Sequence, residues 1–163
     1  MSTEQQNLTI APGAGEADGS LAVLAVYAGN EAYGFPLQSV HEILVPPPLT
    51  EVPRAPERVL GVITVRGQIV TVLDLRKILR LEAPDDVTFG RILLVDNNEE
   101  LVGVAVDRVL QVYRLKPDQI EYASSMGADL SDYVVGIGRV QSEAQERAAD
   151  MLILIDPVAL LGG

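Results

Sequence analysis

The chain has 163 residues, of which 48% are hydrophobic and 4% aromatic, and its formal net charge is −11. This length suits one domain, or two small lobes that share a mainly aliphatic core. The absence of cysteine excludes disulfides and thiolate-bound metals, and the negative charge argues against nucleic acids and anionic membranes as partners, because both select basic surfaces.

Residues 1–20 are polar, acidic and rich in glycine, and we expect them to form a disordered tail. The apolar run at 21–27 predicts a buried strand, and residues 33–37 predict a second strand, in a hairpin with its turn at Gly29-Asn30. The proline-dense stretch 45–56 excludes a central strand. We interpret it as a stiff connection rather than as a polyproline ligand for another protein.

Residues 61–75 read GVITVRGQIVTVLDL and predict two strands, 62–65 and 68–73, joined by a tight turn at Arg66-Gly67. The enrichment in Val, Ile and Thr is typical of a half-buried strand. Gly67 suits a two-residue turn, which needs a positive φ. Arg66 is thereby placed at the tip of an apolar hairpin, where an arginine is either solvated or in contact with a partner.

The chain also contains an internal repeat, in which residues 34–43 align with 103–112, 61–65 with 136–140, and 70–79 with 152–161. In the last pair an apolar strand leads into Asp74 or Asp156, each of which we expect to cap a short helix. The repeat predicts two similar β lobes, at about 21–82 and 88–156, followed by a helix at 157–161. Residues 143–149 are interpreted as a solvated loop rather than a helical turn.

The usual signatures of an enzyme are missing from the sequence. It has no GxxxxGK phosphate loop and no GxSxG elbow, and Gly136-Ile137-Gly138 lacks the third glycine of a dinucleotide fingerprint. His41 is the only histidine, and the residues around it do not supply the nucleophile and orienting acid that a general base needs. We therefore expect no catalysis, metal or cofactor. The alternative from this class is a small β-barrel enzyme with an unrecognised carboxylate site.

Membrane and secretion signals are likewise missing. No apolar run reaches the roughly 20 residues that cross a bilayer, and the N-terminus lacks a positive region followed by an apolar core. We expect a soluble, cytoplasmic protein.

Seven segments, in the same order along the chain, resemble the CheW family of chemosensory adaptor proteins. They are YGFPLQSVHEI at 33–43, Gly61-Val62 with Arg66-Gly67, VLDLR at 72–76, VGVAVDRVLQV at 102–112, PDQIE at 117–121, GIG at 136–138 and MLILID at 151–156. The resemblance runs from about residue 21 to 161. It departs from the family at Thr64-Val65, where Asn-Leu is usual, and at 141–150, which is longer than usual.

The resemblance implies a mainly β fold, with two five-stranded SH3-like barrels packed side by side and short capping helices. It implies a non-enzymatic adaptor that couples chemoreceptors to a chemotaxis-type histidine autokinase in a signalling array, with no nucleic acid, cofactor or membrane insertion. An adaptor of a non-flagellar pathway, serving gliding, pili or development, is the alternative.

The resemblance also implies where partners bind. Glu42 and Arg66 are expected to approach each other in space. The residues assigned to partner surfaces are Val40, Glu42, Gly61, Arg66 and Gly67 on the first lobe, Val106 and Val109 in a groove that accepts the tip of a receptor helical hairpin, and Glu121 and Met126 in a second kinase-contact region.

Overall fold

A computed structural model of the chain describes residues 19–82, 89–126, 131–140 and 151–162. The predictions for the tail at 1–18 and for the segment 143–149 lie outside these ranges. Within them are eleven strands: β1 (Leu21–Ala28), β2 (Glu31–Pro36), β3 (Val40–Leu44), β4 (Val59–Val65), β5 (Gln68–Asp74), β6 (Arg91–Asp96), β7 (Leu101–Val106), β8 (Arg108–Leu115), β9 (Ile120–Tyr122), β10 (Val134–Arg139) and β11 (Met151–Ile155). The helices are α1 (Leu75–Ile78), α2 (Ala123–Met126) and α3 (Pro157–Leu161).

The strands form two sheets. One has five strands in the order β3-β6-β7-β5-β4, and the other has six in the order β8-β1-β2-β11-β10-β9. The predicted mainly β architecture with short helices is confirmed. The six-stranded sheet has one strand more than predicted, because the three-residue β9 pairs with β10.

The sheets do not follow the predicted division of the chain into lobes 21–82 and 88–156. The five-stranded sheet is built from the consecutive strands β3 to β7, and the six-stranded sheet combines β1 and β2 with β8 to β11. The difference arises because the strand that follows the hairpin β1–β2 and the strand that follows the hairpin β6–β7 each cross to the opposite sheet. β3 leaves β2 to pair with β6, and β8 leaves β7 to pair with β1.

Three apolar clusters hold this arrangement together. One lies inside the six-stranded sheet and includes Leu115, Leu152 and Leu154, and another lies inside the five-stranded sheet and includes Val72 and Ile92. The largest joins both sheets and contains the buried residues Leu24, Val26, Ala28, Tyr33, Phe35, Leu37, Val40, Leu75, Leu93, Val95, Val104, Val106, Ile155 and Leu160. The two sheets therefore share a core, which is mainly aliphatic as the composition predicted.

Equivalent glycines show that the sequence repeat is also a structural repeat. A register shift falls next to Gly61 in β4 and next to Gly136 in β10. A Cβ on Gly61 would lie 2.5 Å from the carbonyl oxygen of Thr50, and one on Gly136 would lie 2.4 Å from that of Glu121. Another segment of backbone approaches too closely at both positions for any residue with a Cβ.

The predicted helix caps are also equivalent, and both are confirmed. Asp74 Oδ1 accepts a hydrogen bond of 2.9 Å from the backbone N–H of Arg76 at the start of α1. Asp156 Oδ1 accepts one of 3.0 Å from the N–H of Val158 at the start of α3. A cap of this kind typically contributes about 1 kcal/mol.

The proline-dense connection between β3 and β4 turns at Arg54 and is not a continuous polyproline helix. The N–H of Ala55 donates to the carbonyl of Val52 at 3.3 Å, and Arg54 between them has a φ of 62°. A polyproline helix requires a φ near −75°. Thr50 and Val62 of β4 exchange two backbone hydrogen bonds, of 2.9 and 2.8 Å. This pairing supports the interpretation of the stretch as a structural connection.

Candidate functional site

The turn between β4 and β5 presents Arg66 to solvent. Val65 and Gln68 form the last cross-strand pair, and the two residues between them, Arg66 and Gly67, have φ values of 50° and 81°. Two positive φ values are typical of the type I′ hairpin turn, whose first central position favours Asn, Asp or Gly. Arg66 is therefore held in a conformation disfavoured for its residue type, with its side chain 71% exposed. Strain of this kind is often associated with a functional site.

Glu42 meets Arg66 across the two edges of the five-stranded sheet. Glu42 lies on β3 and Arg66 adjoins β4, the strands at opposite ends of the hydrogen-bonding order. The sheet must curl for these edges to meet, and Arg66 Nη2 donates a hydrogen bond to Glu42 Oε1. The predicted approach of Glu42 and Arg66 is confirmed. An exposed pair of this kind contributes at most about 1 kcal/mol to stability, so folding alone does not account for it.

An uncharged face lies beside this pair, on the outward side of the β4–β5 hairpin. Val62 pairs with Thr71 and Thr64 pairs with Ile69, and the intervening residues such as Val70 point into the core. Ile69 is 77% exposed, which is unusual for a large apolar side chain. We refer to Val62, Thr64, Ile69 and Thr71 as the hairpin face. None of these four residues was predicted to lie on a partner surface, although the alternation at 68–73 is a signal that places Ile69 outward.

The two glycines of this hairpin have structural roles. A Cβ on Gly67 would meet no atom within 4 Å, so space around it is open and its positive φ is the reason for glycine. Gly61 accommodates the close approach of Thr50. Both residues shape the hairpin on which Arg66 stands.

Val40 and Val106 differ from their predicted place on a partner surface. Each is 1% exposed and belongs to the core that joins the two sheets. The physical reason is that both side chains pack in the core where the two sheets meet, although the opposite face of β3 is exposed at His41 and Ile43. Val109, on β8, is half-buried and packs against the same core, so it alone of the three valines retains accessible surface.

Glu121 and Met126 lie on the other sheet, apart from Arg66. Glu121 is in the edge strand β9, and its Oε2 is 3.5 Å from Nη2 of Arg139 on β10. Met126 ends α2, which directly follows β9, and is half-buried. The predicted site residues therefore occupy two separate regions, one on each sheet.

The described residues offer little for catalysis. His41 Nε2 lies 3.5 Å from Asp96 Oδ2, and both side chains are about half exposed. Within the described ranges no group of three or more His, Asp or Glu side chains could hold a metal ion. Over the same ranges, no helix is long and apolar enough to cross a membrane.

Comparison with known proteins identifies close likenesses over most of the chain. The family model described as a CheW-like domain matches residues 22–163. The chemotaxis protein CheW of Helicobacter pylori is 30% identical over 119 residues, which cover 73% of this chain and 72% of that protein. The chemotaxis protein CheW of Klebsiella aerogenes is 30% identical over 154 residues, covering 94% of this chain and 88% of that protein.

A solved structure shares the fold. The crystal structure of the scaffolding protein TtCheW from Thermoanaerobacter tengcongensis superposes with a TM-score of 0.72 at 26% identity. The match covers 84% of this chain and 89% of that chain.

Proposed function

The chain belongs to the CheW-like family, and on that premise we propose that it is a non-enzymatic adaptor that couples chemoreceptors to a chemotaxis-type histidine kinase in a cytoplasmic signalling array. The names of the relatives support this role, since two are chemotaxis proteins and a third is a scaffolding protein. Such a role needs binding surfaces rather than a reactive centre.

The observation that carries the proposal is the strained, exposed Arg66 beside the hairpin face. Because its ion pair with Glu42 contributes little to stability while its guanidinium is exposed beside Ile69, the side chain is best explained by a contact with a partner. Arginine is enriched among the side chains that dominate binding energy, and the exposed Ile69 beside it offers apolar surface for a partner to cover. We assign Arg66, Glu42 and Ile69 to the kinase-binding surface.

The chemistry of this surface defines what the kinase domain must offer. Ile69 and the methyl groups of Thr64 and Thr71 require an apolar patch of similar size. Arg66 requires an acidic group on the kinase domain. That group would either bind the guanidinium together with Glu42 or displace Glu42 from it, because a guanidinium can bind two carboxylates through its five N–H groups.

The region on the six-stranded sheet gives the adaptor a second binding surface. We assign Glu121 and Met126 to a further kinase contact on the six-stranded sheet, and Val109 to the receptor-binding groove. Surfaces on two different sheets allow one chain to bind two partners at once. Several modest contacts then reinforce one another through high effective concentration.

Titration calorimetry with the regulatory domain of a chemotaxis-type kinase from the same organism tests this proposal. We expect binding at micromolar concentration or tighter, and we expect Arg66→Glu to weaken it by about 30-fold or more, the equivalent of a side chain that contributes about 2 kcal/mol. The matched control is Arg80→Glu, since Arg80 is also an exposed arginine with a positive φ, of 59°.

Two results would contradict the proposal. A folded wild-type chain that fails to bind both the kinase domain and a receptor fragment is not an adaptor of this kind. Equal losses in the Arg66 and Arg80 variants would show that net charge, rather than this surface, governs the affinity.

A further inference from the structure

Asp107 occupies one of the two places where the chain passes between the sheets. It is the single residue between β7 in the five-stranded sheet and β8 in the six-stranded sheet. Its N–H donates to the carbonyl of Tyr27 at 3.0 Å, and its Oδ2 accepts a 2.7 Å hydrogen bond from the N–H of Gly29. Both partners belong to the β1–β2 hairpin, so Asp107 is anchored to the six-stranded sheet.

The other oxygen of Asp107 faces Arg76, which belongs to the five-stranded side. Arg76 lies in α1, directly after β5, and its side chain is 5% exposed. Its Nε is 3.2 Å from Asp107 Oδ1 and 3.7 Å from Asp74 Oδ1. The guanidinium carbon lies 4.5 Å from the centre of the Phe89 ring.

This contact depends on charge. Arg76 Nε and Asp107 Oδ1 are both buried, and neither has a well-aligned hydrogen-bond partner among the described residues. A buried charge without an opposite charge nearby is strongly destabilising. Asp107 therefore depends on Arg76 for its charge compensation, and Arg76 depends on Asp107 together with Asp74. A relative movement of the two sheets would separate Arg76 from Asp107.

The second crossing lacks this contact. It is the short turn Leu37–Ser39 between β2 and β3. The internal repeat aligns Gln38 with Asp107 and Val158 with Arg76, and neither Gln38 nor Val158 is charged. The ionic contact is thus a feature of one crossing and not of the repeat.

We propose that Arg76 and Asp107 form a clamp that fixes the angle between the two sheets. The rest of the shared core is mainly aliphatic, and apolar packing is non-directional, so packed layers of this kind can slide by small amounts. A buried ion pair has one favourable geometry and can specify one arrangement. The clamp positions the surface that carries Arg66 relative to the surface that carries Glu121, a consequence that rests on the proposed function.

Electron–electron distance measurements between two spin labels test the clamp directly. The chain has no cysteine, so Thr64→Cys on β4 and Met151→Cys on β11 provide one exposed label on each sheet. We expect a single narrow distance distribution in this background. Asp107→Asn retains an oxygen for the Gly29 N–H and removes the charge, and we expect it to broaden or shift the distribution.

The matched control is Glu57→Gln. Glu57 forms a 2.7 Å ion pair with Lys77, which is also on α1, but both groups are exposed and neither joins the sheets. We expect this variant to leave the distance distribution unchanged. If Asp107→Asn does not fold, the double variant Arg76→Gln with Asp107→Asn is used instead, because it removes both charges of the clamp and leaves Asp74 its hydrogen bond from the backbone N–H of residue 76.

A folded clamp variant with the same distance distribution as its parent would overturn the proposal, and so would equal broadening in the Glu57→Gln control. In a binding assay, the clamp variant should keep its affinity for the isolated kinase domain. Its affinity for a second partner in the presence of the first should fall by about tenfold, a typical coupling between two sites. Loss of all binding in the parent chain would refute the adaptor function and leave the distance result standing.

Discussion

Removing the two equivalent helix caps should have unequal effects on stability. Asp74→Ala and Asp156→Ala delete the same hydrogen bond at the start of α1 and α3, at 2.9 and 3.0 Å. The surroundings differ, however. Asp74 is 4% exposed and its Oδ1 lies 3.7 Å from the buried Nε of Arg76, whereas the cap residue Asp156 is half-buried and precedes an uncharged turn.

The magnitudes follow from these contacts. Loss of the cap lowers the free energy of unfolding by about 1 kcal/mol in each variant. Asp74→Ala also removes a buried charge from beside Arg76; loss of one partner of a buried ion pair costs about 3–5 kcal/mol, and the second acidic neighbour of Arg76, Asp107, compensates a part of this. We expect a total of about 3 kcal/mol for Asp74→Ala. For a chain of this size 1 kcal/mol corresponds to about 2–4 °C in Tm, so Tm should fall by roughly 6–12 °C, against about 2–4 °C for Asp156→Ala.

Thermal unfolding followed by circular dichroism measures both values, and Asp74→Asn serves as the control because it keeps an oxygen acceptor for the cap. Kinase binding is measured well below each Tm, where we expect both alanine variants to bind as the wild type does. Equal Tm values for the two alanine variants would refute the role assigned to Arg76. A variant of Asp74 that melts like the wild type but does not bind would place this residue on a partner surface instead.

Three further predictions concern other parts of the chain. Arg66→Asn should leave stability within about 1 kcal/mol of the wild type, because relief of the strained φ offsets the lost surface pair, while kinase affinity falls; Arg80→Asn, which relieves the same kind of strain, should leave kinase affinity unchanged. Gly61→Ala should markedly lower Tm, since its Cβ would lie 2.5 Å from the carbonyl oxygen of Thr50. Burial raises the pKa of Tyr33 above its ordinary value of 10.0, so its stabilising contribution is present below pH 10 and is lost as the pH rises through the raised pKa. Denaturant titrations of Tyr33→Phe should show a shallower loss of stability in that alkaline range, and an unchanged slope would contradict this assignment.

Features with a local physical cause could be predicted from the sequence. The turn at Arg66-Gly67 follows from a glycine between two β-branched runs, and the caps follow from an aspartate at the end of an apolar strand. The repeat also identified Gly61 and Gly136 as equivalent positions, since only glycine tolerates the approach of another backbone there. Each of these signals is contained within a few residues.

Strand pairing between distant segments could not be predicted in the same way. The two halves of the chain repeat the same apolar pattern. On that pattern alone, β3 could pair with the edge of β1 as well as with the edge of β6. The burial of Val40 and Val106 was missed for a related reason. Alternation tells which side of a strand is apolar, but it does not tell whether that side is covered by a second sheet of the same chain or by a partner. The pair Glu42–Arg66 was predicted only through the family resemblance.

The order of the strands in the two sheets has a consequence for synthesis on the ribosome. All strands of the five-stranded sheet have been made once residue 106 is added, whereas β1 pairs Leu21 with Leu115 and β2 pairs Gly34 with Leu154. At roughly 5–20 residues per second, the N-terminal hairpin remains without its neighbours for an interval on the order of 5–20 s. During this time its apolar edges are open to other nascent chains. We expect the newly made N-terminal third of this protein to be the part that depends most on chaperones.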